Sequence, residues 1–443
     1  MDIPDSWRMP VNESSTYANF RWWQQLGDPI LDNLIIEALE NNQNLKVAIV
    51  RVDQYIGQLM VARSPLYPQI GGTVSAFRQQ SSLNGFPLGG FNRITSDFLS
   101  IFTAAYDLDL WGKIRSGSDA AQASLFAQVE ARRTVVLELV SAVAASYIQL
   151  RLFDKQLQTS IQTYQSRKEA FDIAELRYLG GLTSELDAKQ AQAEMETAIV
   201  QVIQFEQAII EQENLISLLI GRPSQPILRG LTLDEFHLAS NIPAGIPSEI
   251  LQQRPDILQA EFNLMAANAE IGGARANFFP DITLTSFYGN QSVELSNLFT
   301  APSRTWQYGG TLLQPIFTGG YLLGQLEIAD SLKWQAYYQY KQSVLNAFRE
   351  VNDALTEHQK TKELLVVERR RVKALEDALK LATLQYNNGQ VEYLNVLDAQ
   401  RNLFDALLSS DQVQGDLYLS MVNIYKALGG GWVTEADCWA IQD

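Results

Sequence analysis

Cysteine is almost absent from this sequence: Cys438 stands alone among 443 residues. That excludes an internal disulfide and any metal site built from several thiolates. Histidine is nearly as scarce. His237 and His358 lie far apart in the chain, form no ligand cluster, and read as surface residues. No Walker-type phosphate loop, no G-x-S-x-G and no H-E-x-x-H occurs. Carboxylate pairs such as Asp107/Asp109 read as solvated groups rather than as an acid–base pair. The chain therefore reads as a non-enzyme that needs no cofactor.

Long apolar runs are missing too. No stretch approaches about eighteen consecutive apolar residues, so no transmembrane helix is expected. The opening residues, MDIPDSWRMP, have neither a basic nor an apolar segment, so no signal peptide is expected there. Two readings stay open: a cytoplasmic protein, or the mature or trimmed form of an exported one. Any contact with a membrane interior must be made by β-strands. Positive charge is also short. Lys and Arg number 34 against 50 Asp and Glu, a net −16, which argues against nucleic-acid binding through a basic surface. A hydrophobic content of 46% and a mean hydropathy of −0.10 suit a structured chain.

What is present is repetition. YLGGLTSELDAKQAQ at 178–192 returns as YNNGQVEYLNVLDAQ at 386–400, pairing Tyr178/Tyr386, Gly181/Gly389, Leu186/Leu394, Asp187/Asn395, Ala191/Ala399 and Gln192/Gln400. ARSPLYPQI at 62–70 returns as ARANFFPDI at 274–282, and LWGK at 110–113 lines up with FTGG at 317–320. Three landmarks in one order, each about 210 residues apart, describe a duplicated unit of half the chain. The halves are 1–245 and 246–443.

Each half reads as helix, strand pair and long helical hairpin. In the first, an N-terminal segment leads to an amphipathic helix from Leu31 to Arg63, which Pro65 and Pro68 stop. A strand pair at about 71–110, a hairpin at about 113–220 and a linker at 221–245 follow. The second half has a helix at 248–276, a strand pair at about 281–316, a hairpin at about 320–428 and a C-terminal tail. Phe98, Phe102, Ala104, Tyr106 and Leu108 share one strand parity, as do Trp306, Tyr308 and Leu312. Strands of about ten residues with an aromatic and a polar face suit a membrane barrel, but weakly one by one; from these segments alone a soluble hairpin is the plainer reading.

The helical stretches contain no proline, and Val372, Leu375, Leu379, Ala382 and Tyr386 recur at threes and fours. Nearly seventy residues of helix make a rod of ~100 Å. Gly180–Gly181 and Asn388–Gly389 turn the chain at each hairpin tip. The helices are rich in Ala, Ser, Gln and Asn, as a narrow buried seam with water on two sides requires. Four strands cannot close a membrane barrel, whose minimum is about eight, so chains must pool them.

ARSPLYPQIGG, YDLDLWGKIRS, RYLGGLTSELDAKQAQAE, QYNNGQVEYLNVLDAQRNLF and KALGGGW together resemble the TolC-type outer-membrane efflux channels, closest to their OprM/NodT-like lipoprotein branch. The resemblance covers essentially the whole chain. It implies an α+β membrane protein: a homotrimer with a transmembrane β-barrel, four strands per chain and twelve per trimer, continued by a long α-helical coiled-coil barrel. It implies an exit duct in the outer membrane of a Gram-negative bacterium, reaching into the periplasm. The duct would meet a periplasmic adaptor (membrane fusion) protein and an inner-membrane pump of the resistance-nodulation-division type, and pass drugs, toxic compounds or metal ions. It also replaces the soluble-hairpin reading. The branch carries an acylated N-terminal cysteine, implying a lipid-anchored native form; here an initiating Met stands instead, and Cys438 is too near the other end to be that anchor.

By the same resemblance Asp398 matches an aperture aspartate and Leu394 an apolar constriction, while Asn395 stands where other members can carry a further aspartate. Residues 394 and 398 share a helical face. Without the resemblance Leu394 would read as a seam residue and Asp398 as a solvated one. Tyr386 and Asp187 occupy positions used to lock neighbouring helices at the tips. Gln385 and Val391 stand where the family often has Arg, so the lock is expected to lean on Tyr386 and acidic residues. A soluble coiled-coil adaptor or scaffold is the rival; it accounts for the hairpins but not for strands with aromatic faces.

Overall fold

The computed structural model of the chain describes residues 7, 21–82, 84, 94–237, 250–429 and 433. Cys438, most of the C-terminal tail, the end of the 221–245 linker and the start of the helix expected at 248–276 lie outside the described residues. Two compact units are present, and each draws on both halves of the sequence. One is Met1–Val50, Glu130–Leu258 and Gln342–Asp443; the other is Arg51–Val129 and Gln259–Lys341.

The second unit holds one antiparallel sheet of β1 (Gln69–Gln80), β2 (Ile94–Asp107), β3 (Asp281–Ser292) and β4 (Arg304–Leu313), in that order. The two strand pairs expected from sequence are thus joined, because β2 pairs with β3: Phe102 lies opposite Tyr288, and Tyr288 opposite Trp306. That row forms one face, where Phe102, Tyr288, Trp306 and Tyr308 are 70%, 56%, 62% and 76% exposed. The other face mixes Phe77, Leu99, Ile101 and Phe287 with polar groups; Thr283 donates to Asp107 at 2.7 Å and Gln291 to Asp97 at 2.9 Å. Among the described residues β1 and β4 each keep an unpaired edge. The repeated landmarks meet below this sheet: the Trp111 indole N–H donates to the Pro280 carbonyl at 2.9 Å, and the ring stacks on Phe279.

The helices are α1 (Pro29–Asn41), α2 (Gln43–Arg63), α3 (Lys113–Leu179), α4 (Glu185–Leu219), α5 (Ile250–Gln253), α6 (Pro255–Ala276), α7 (Tyr321–Asn387) and α8 (Tyr393–Ala427). The repeat is visible in their lengths: α3 and α7 have 67 residues each, α4 and α8 have 35 each. Two expected helices are broken. The helix read from Leu31 to Arg63 divides at Asn42, whose extended backbone leaves its side chain free to accept from the Leu45 amide and donate to the Leu219 carbonyl. The helix read over 248–276 restarts at Pro255, where a missing N–H is harmless in a first turn. By length and composition α3 contains a stretch that could cross a membrane, against the expectation from sequence. That stretch is 72% buried in the protein, as a core helix would be.

In the first unit α3 and α8 lie at the centre. Thr159 of α3 donates to Asp411 of α8 at 2.8 Å, and Gly415 of α8 lets Leu152 of α3 approach closely. α4 packs on α3, with Phe153 against Phe205, and α7 packs on α8 through Leu365, Val413 and Leu417. A core of Trp22, Leu26, Leu31, Ile35, Val143, Tyr147 and Met421 closes the unit. The segment after α4 is strapped across it. Asp28 accepts from the Tyr147 hydroxyl and the Leu231 amide, the Gly230 amide donates to Tyr147, and Tyr418 donates to the Phe236 carbonyl.

Candidate functional site at the hairpin tips

Both tips are built by the same local geometry. Gly181 and Gly389 adopt φ of 70° and 72°, the left-handed region that glycine enters without Cβ strain. The amides of Gly181 and Leu182 return to the carbonyls of Tyr178 and Arg177, and those of Gly389 and Gln390 to Tyr386 and Gln385, closing α3 and α7 alike. α4 then restarts on Ser184, whose hydroxyl accepts from the Asp187 amide at 3.3 Å; in α8 the Asn395 amide donates to the Glu392 carbonyl.

The tips are level and packed together. Ala174, Ala191, Tyr393, Val396 and Leu397 form a small core, with Phe171, Leu379, Ala382 and Tyr386 against it. Val396 and Leu397 are therefore the seam residues of α8. Leu394 is not one of them: it is 48% exposed. The Asp398 side chain, 56% exposed, follows one turn later, and Asn395 is exposed beside them. The expected gate residues thus share an open face of the tip.

Tyr386 is half-buried, its ring 5.1 Å from Tyr393 and 5.7 Å from the Arg177 guanidinium. Among the described residues no hydrogen bond joins Tyr386 to Asp187. Asp187 acts at longer range, on Tyr393. Burial first, then the nearby Tyr386 and Asp187, push the Tyr393 phenol up to about 12, and its buried hydroxyl has no hydrogen-bond partner among the described residues.

The tip also holds cations that the sequence reading missed. Arg401 reaches Asp398 at 3.4 Å and Glu194 at 2.6 Å, and Glu194 pairs with Arg167 at 3.1 Å. Arg167 is buried, donates to the Glu194 carbonyl at 2.8 Å, and lies over the Phe404 ring at 5.0 Å. Three helices, α3, α4 and α8, meet in this cluster. Val391 is no arginine, but Arg177 and Arg401 bring guanidinium groups to the same end. The Arg401–Asp398 pair could have been found from its i,i+3 spacing; Arg167 and Glu194 carry no local signal.

The histidines belong to neither cluster. His237 is exposed, as read from sequence, whereas His358 is half-buried with Nδ1 2.9 Å from the Ser420 hydroxyl.

The model of the outer membrane efflux protein family matches two stretches of the chain, residues 34–222 and 246–430. The cation efflux system protein CusC of Escherichia coli O6:H1 is 35% identical over 95% of this chain and 90% of its own length. The probable efflux pump outer membrane protein TtgC of Pseudomonas putida is 36% identical over 96% of this chain and 88% of its own. Among solved structures, the open state of the MtrE outer membrane channel of Neisseria gonorrhoeae superposes with a TM-score of 0.87. It is 30% identical and covers 97% of this chain and 96% of that one.

Proposed function

Since the chain belongs to the outer membrane efflux protein family, we propose that three copies form one channel, the exit duct of a tripartite efflux system. The observation that carries this reading is the four-stranded sheet: an exposed aromatic face and, among the described residues, two unpaired edges. Its strands of 12, 14, 12 and 10 residues are long enough to span a bilayer when tilted. Four strands leave a barrel open; three copies supply twelve, pairing β4 of one with β1 of the next. The repeated unit is the half-chain, 1–245 or 246–443. A soluble adaptor has no use for an aromatic sheet face open to water.

The cargo passes from a periplasmic adaptor and an inner-membrane pump of the resistance-nodulation-division type. Relatives are named for cations, antibiotics, toluene and solvents, so the duct takes drugs, toxic compounds or metal ions rather than one ligand. The chain performs no chemistry of its own, and the native form is anchored by lipid at its N-terminus.

The tips form the resting gate. Around a threefold axis Asp398 becomes a ring of three carboxylates, with Asn395 beside it, and Leu394 becomes an apolar ring that resists wetting. Like charges brought together favour a multivalent cation among them. Tyr386 and Asp187 lock the tips, and an adaptor opens them by binding the splayed state better. Asp398→Ala is expected to weaken block of reconstituted channels by multivalent cations on the periplasmic side, while Leu394→Ala raises leak and leaves block intact. Block that survives in the Asp398 variant would remove that carboxylate from the gate.

A further inference from the structure

The sheet sorts its charged residues by face. On the side of Phe102, Tyr288 and Trp306, the described strand residues include only two charges, Arg78 and Arg304. The carboxylates Asp97, Asp107 and Asp281 all take the opposite face. A face rich in aromatic residues and free of carboxylates suits the lipid side of a membrane barrel. Two arginines on that face are out of keeping with their surroundings. Both are exposed, and among the described residues neither makes an ion pair or a side-chain hydrogen bond.

They also stand at one height. Arg78 lies nine residues from Gln69, where β1 begins, and Arg304 nine from Leu313, where β4 ends. Both of those ends lead to helices. In the register Gln69 stands opposite Ala105, Ala105 opposite Thr285, and Thr285 opposite Gly309, four residues short of Leu313. Tilted strands show such a stagger when their bases are level. Nine residues at ~3.4 Å each, tilted by ~35–45°, rise roughly 22–25 Å. The apolar band of an outer-membrane barrel is about 25 Å tall. The arginines thus reach its edge away from the helices, at the level of the outer-leaflet headgroups, where a charge on the lipid face costs little.

Closing the barrel brings them together. Within one chain β2 and β3 separate β1 from β4, but across the seam β4 of one copy adjoins β1 of the next. With the same stagger continued, the backbone of Arg304 comes within ~7 Å of Arg78 of the next copy. Guanidinium groups that close repel unless an anion lies between them, and their planar forks match phosphate oxygens. Below the arginines the lipid face has a furrow. The cross-strand row Ile70, Ala104, Ser286 and Tyr308 is small at its centre, and beside Phe102 and Trp306 it leaves a cavity of about 410 Å³. Trp306, two residues from Arg304, stacks on Tyr308 with ring centroids 5.6 Å apart, which gives the furrow a firm wall.

We propose that Arg304 of one copy and Arg78 of the next hold the phosphate of an outer-leaflet lipid, with an acyl chain of that lipid in the furrow. The site rests on the proposed trimer, because its two cations come from different copies, and it gives three lipids per channel. Position and charge together choose the occupant. A phosphate at the outer rim answers the arginine pair, and an apolar chain answers the furrow below it.

The test uses the full chain purified in mild detergent, with native mass spectrometry reading the assembly and its bound lipid together. The probe is lipid A carrying its phosphates, beside the same lipid with the phosphates removed. The proposal predicts up to three retained lipids per trimer, with the phosphorylated form favoured at least tenfold. Arg78→Gln with Arg304→Gln should abolish that preference, while Arg78→Lys with Arg304→Lys should keep part of it. Ser286→Trp fills the furrow, leaves the arginines in place, and should lower retention of both forms several-fold. Millimolar inorganic phosphate should displace neither. Equal retention of the two forms, a preference that survives Arg78→Gln with Arg304→Gln, retention unmoved by Ser286→Trp, or displacement by inorganic phosphate would each overturn the site while leaving the trimer standing. A stable monomer by native mass would instead refute the trimer, and this shared site with it.

Discussion

Glu194 sits between two guanidinium groups, Arg167 at 3.1 Å and Arg401 at 2.6 Å, with its side chain only 9% exposed. Arg401, in turn, reaches Asp398, so this exposed carboxylate is tied to a buried charge pair. Removing one partner of such a pair leaves a buried charge uncompensated, at about 3–5 kcal/mol. Glu194→Ala should therefore loosen the tips, seen as faster proteolysis at the Gly180–Leu182 turn. Replacing both partners, Arg167→Met with Glu194→Leu, should recover most of the protection. His358 makes a separate prediction. Burial, and secondarily the Lys362 charge, hold its imidazole below the ordinary 6.5. Below that pH the unfolded chain binds the proton more readily than the folded one, so stability falls as pH drops from about 6.5 toward the lower folded value. His358→Gln should flatten the pH dependence of the thermal midpoint between about pH 5 and 7. At this scale the sequence exposed what is periodic. Leu394 and Asp398 share a face by spacing alone, and the structure puts both in the open. Arg167 and Glu194 were illegible because they are 27 residues apart in chain, and Glu194 lies 207 from Arg401; only folding brings them together.

The long hairpins were the most legible elements, since proline-free runs with a 3.6-residue period end at glycines in the left-handed region. Gly389→Ala must enter that region with a Cβ, costing about 1–2 kcal/mol, and should fray the end of α7 as seen by amide exchange. Breaks within a periodic pattern were harder to read. Asn42 interrupts a helix that its apolar spacing continues, because its side chain finds partners in Leu45 and in the distant Leu219 carbonyl. The strap after α4 had no signal at all, being a run without period whose place is set by Asp28, Tyr147 and Tyr418. Its tightest point is Gly230, where an added Cβ would lie 2.0 Å from an Asp28 carboxylate oxygen. Gly230→Ala is therefore expected to push Asp28 off the Leu231 amide and to lower the thermal midpoint in detergent. An unchanged midpoint would mean the strap contributes little.

On the scale of the molecule, the sequence halves and the compact units do not coincide. Each unit is assembled from both repeats, because β2 of the first pairs with β3 of the second, and α3 of the first packs on α8 of the second. A duplication is visible in one sequence; which copies of its elements touch is not, since that depends on pairings far apart in chain. What the sequence did carry was incompleteness. Four strands with an aromatic face demand partners, and the structure has them as one sheet with two unpaired edges. A passage lined by a chain of net charge −16 should favour cations, since a single-sign lining focuses its field on the lumen. The most direct test is a planar-bilayer recording of the purified full chain under a potassium chloride gradient. The account predicts stepwise conductance with a reversal potential on the cation-selective side; folded protein that gives no conductance, or one selective for anions, would contradict it.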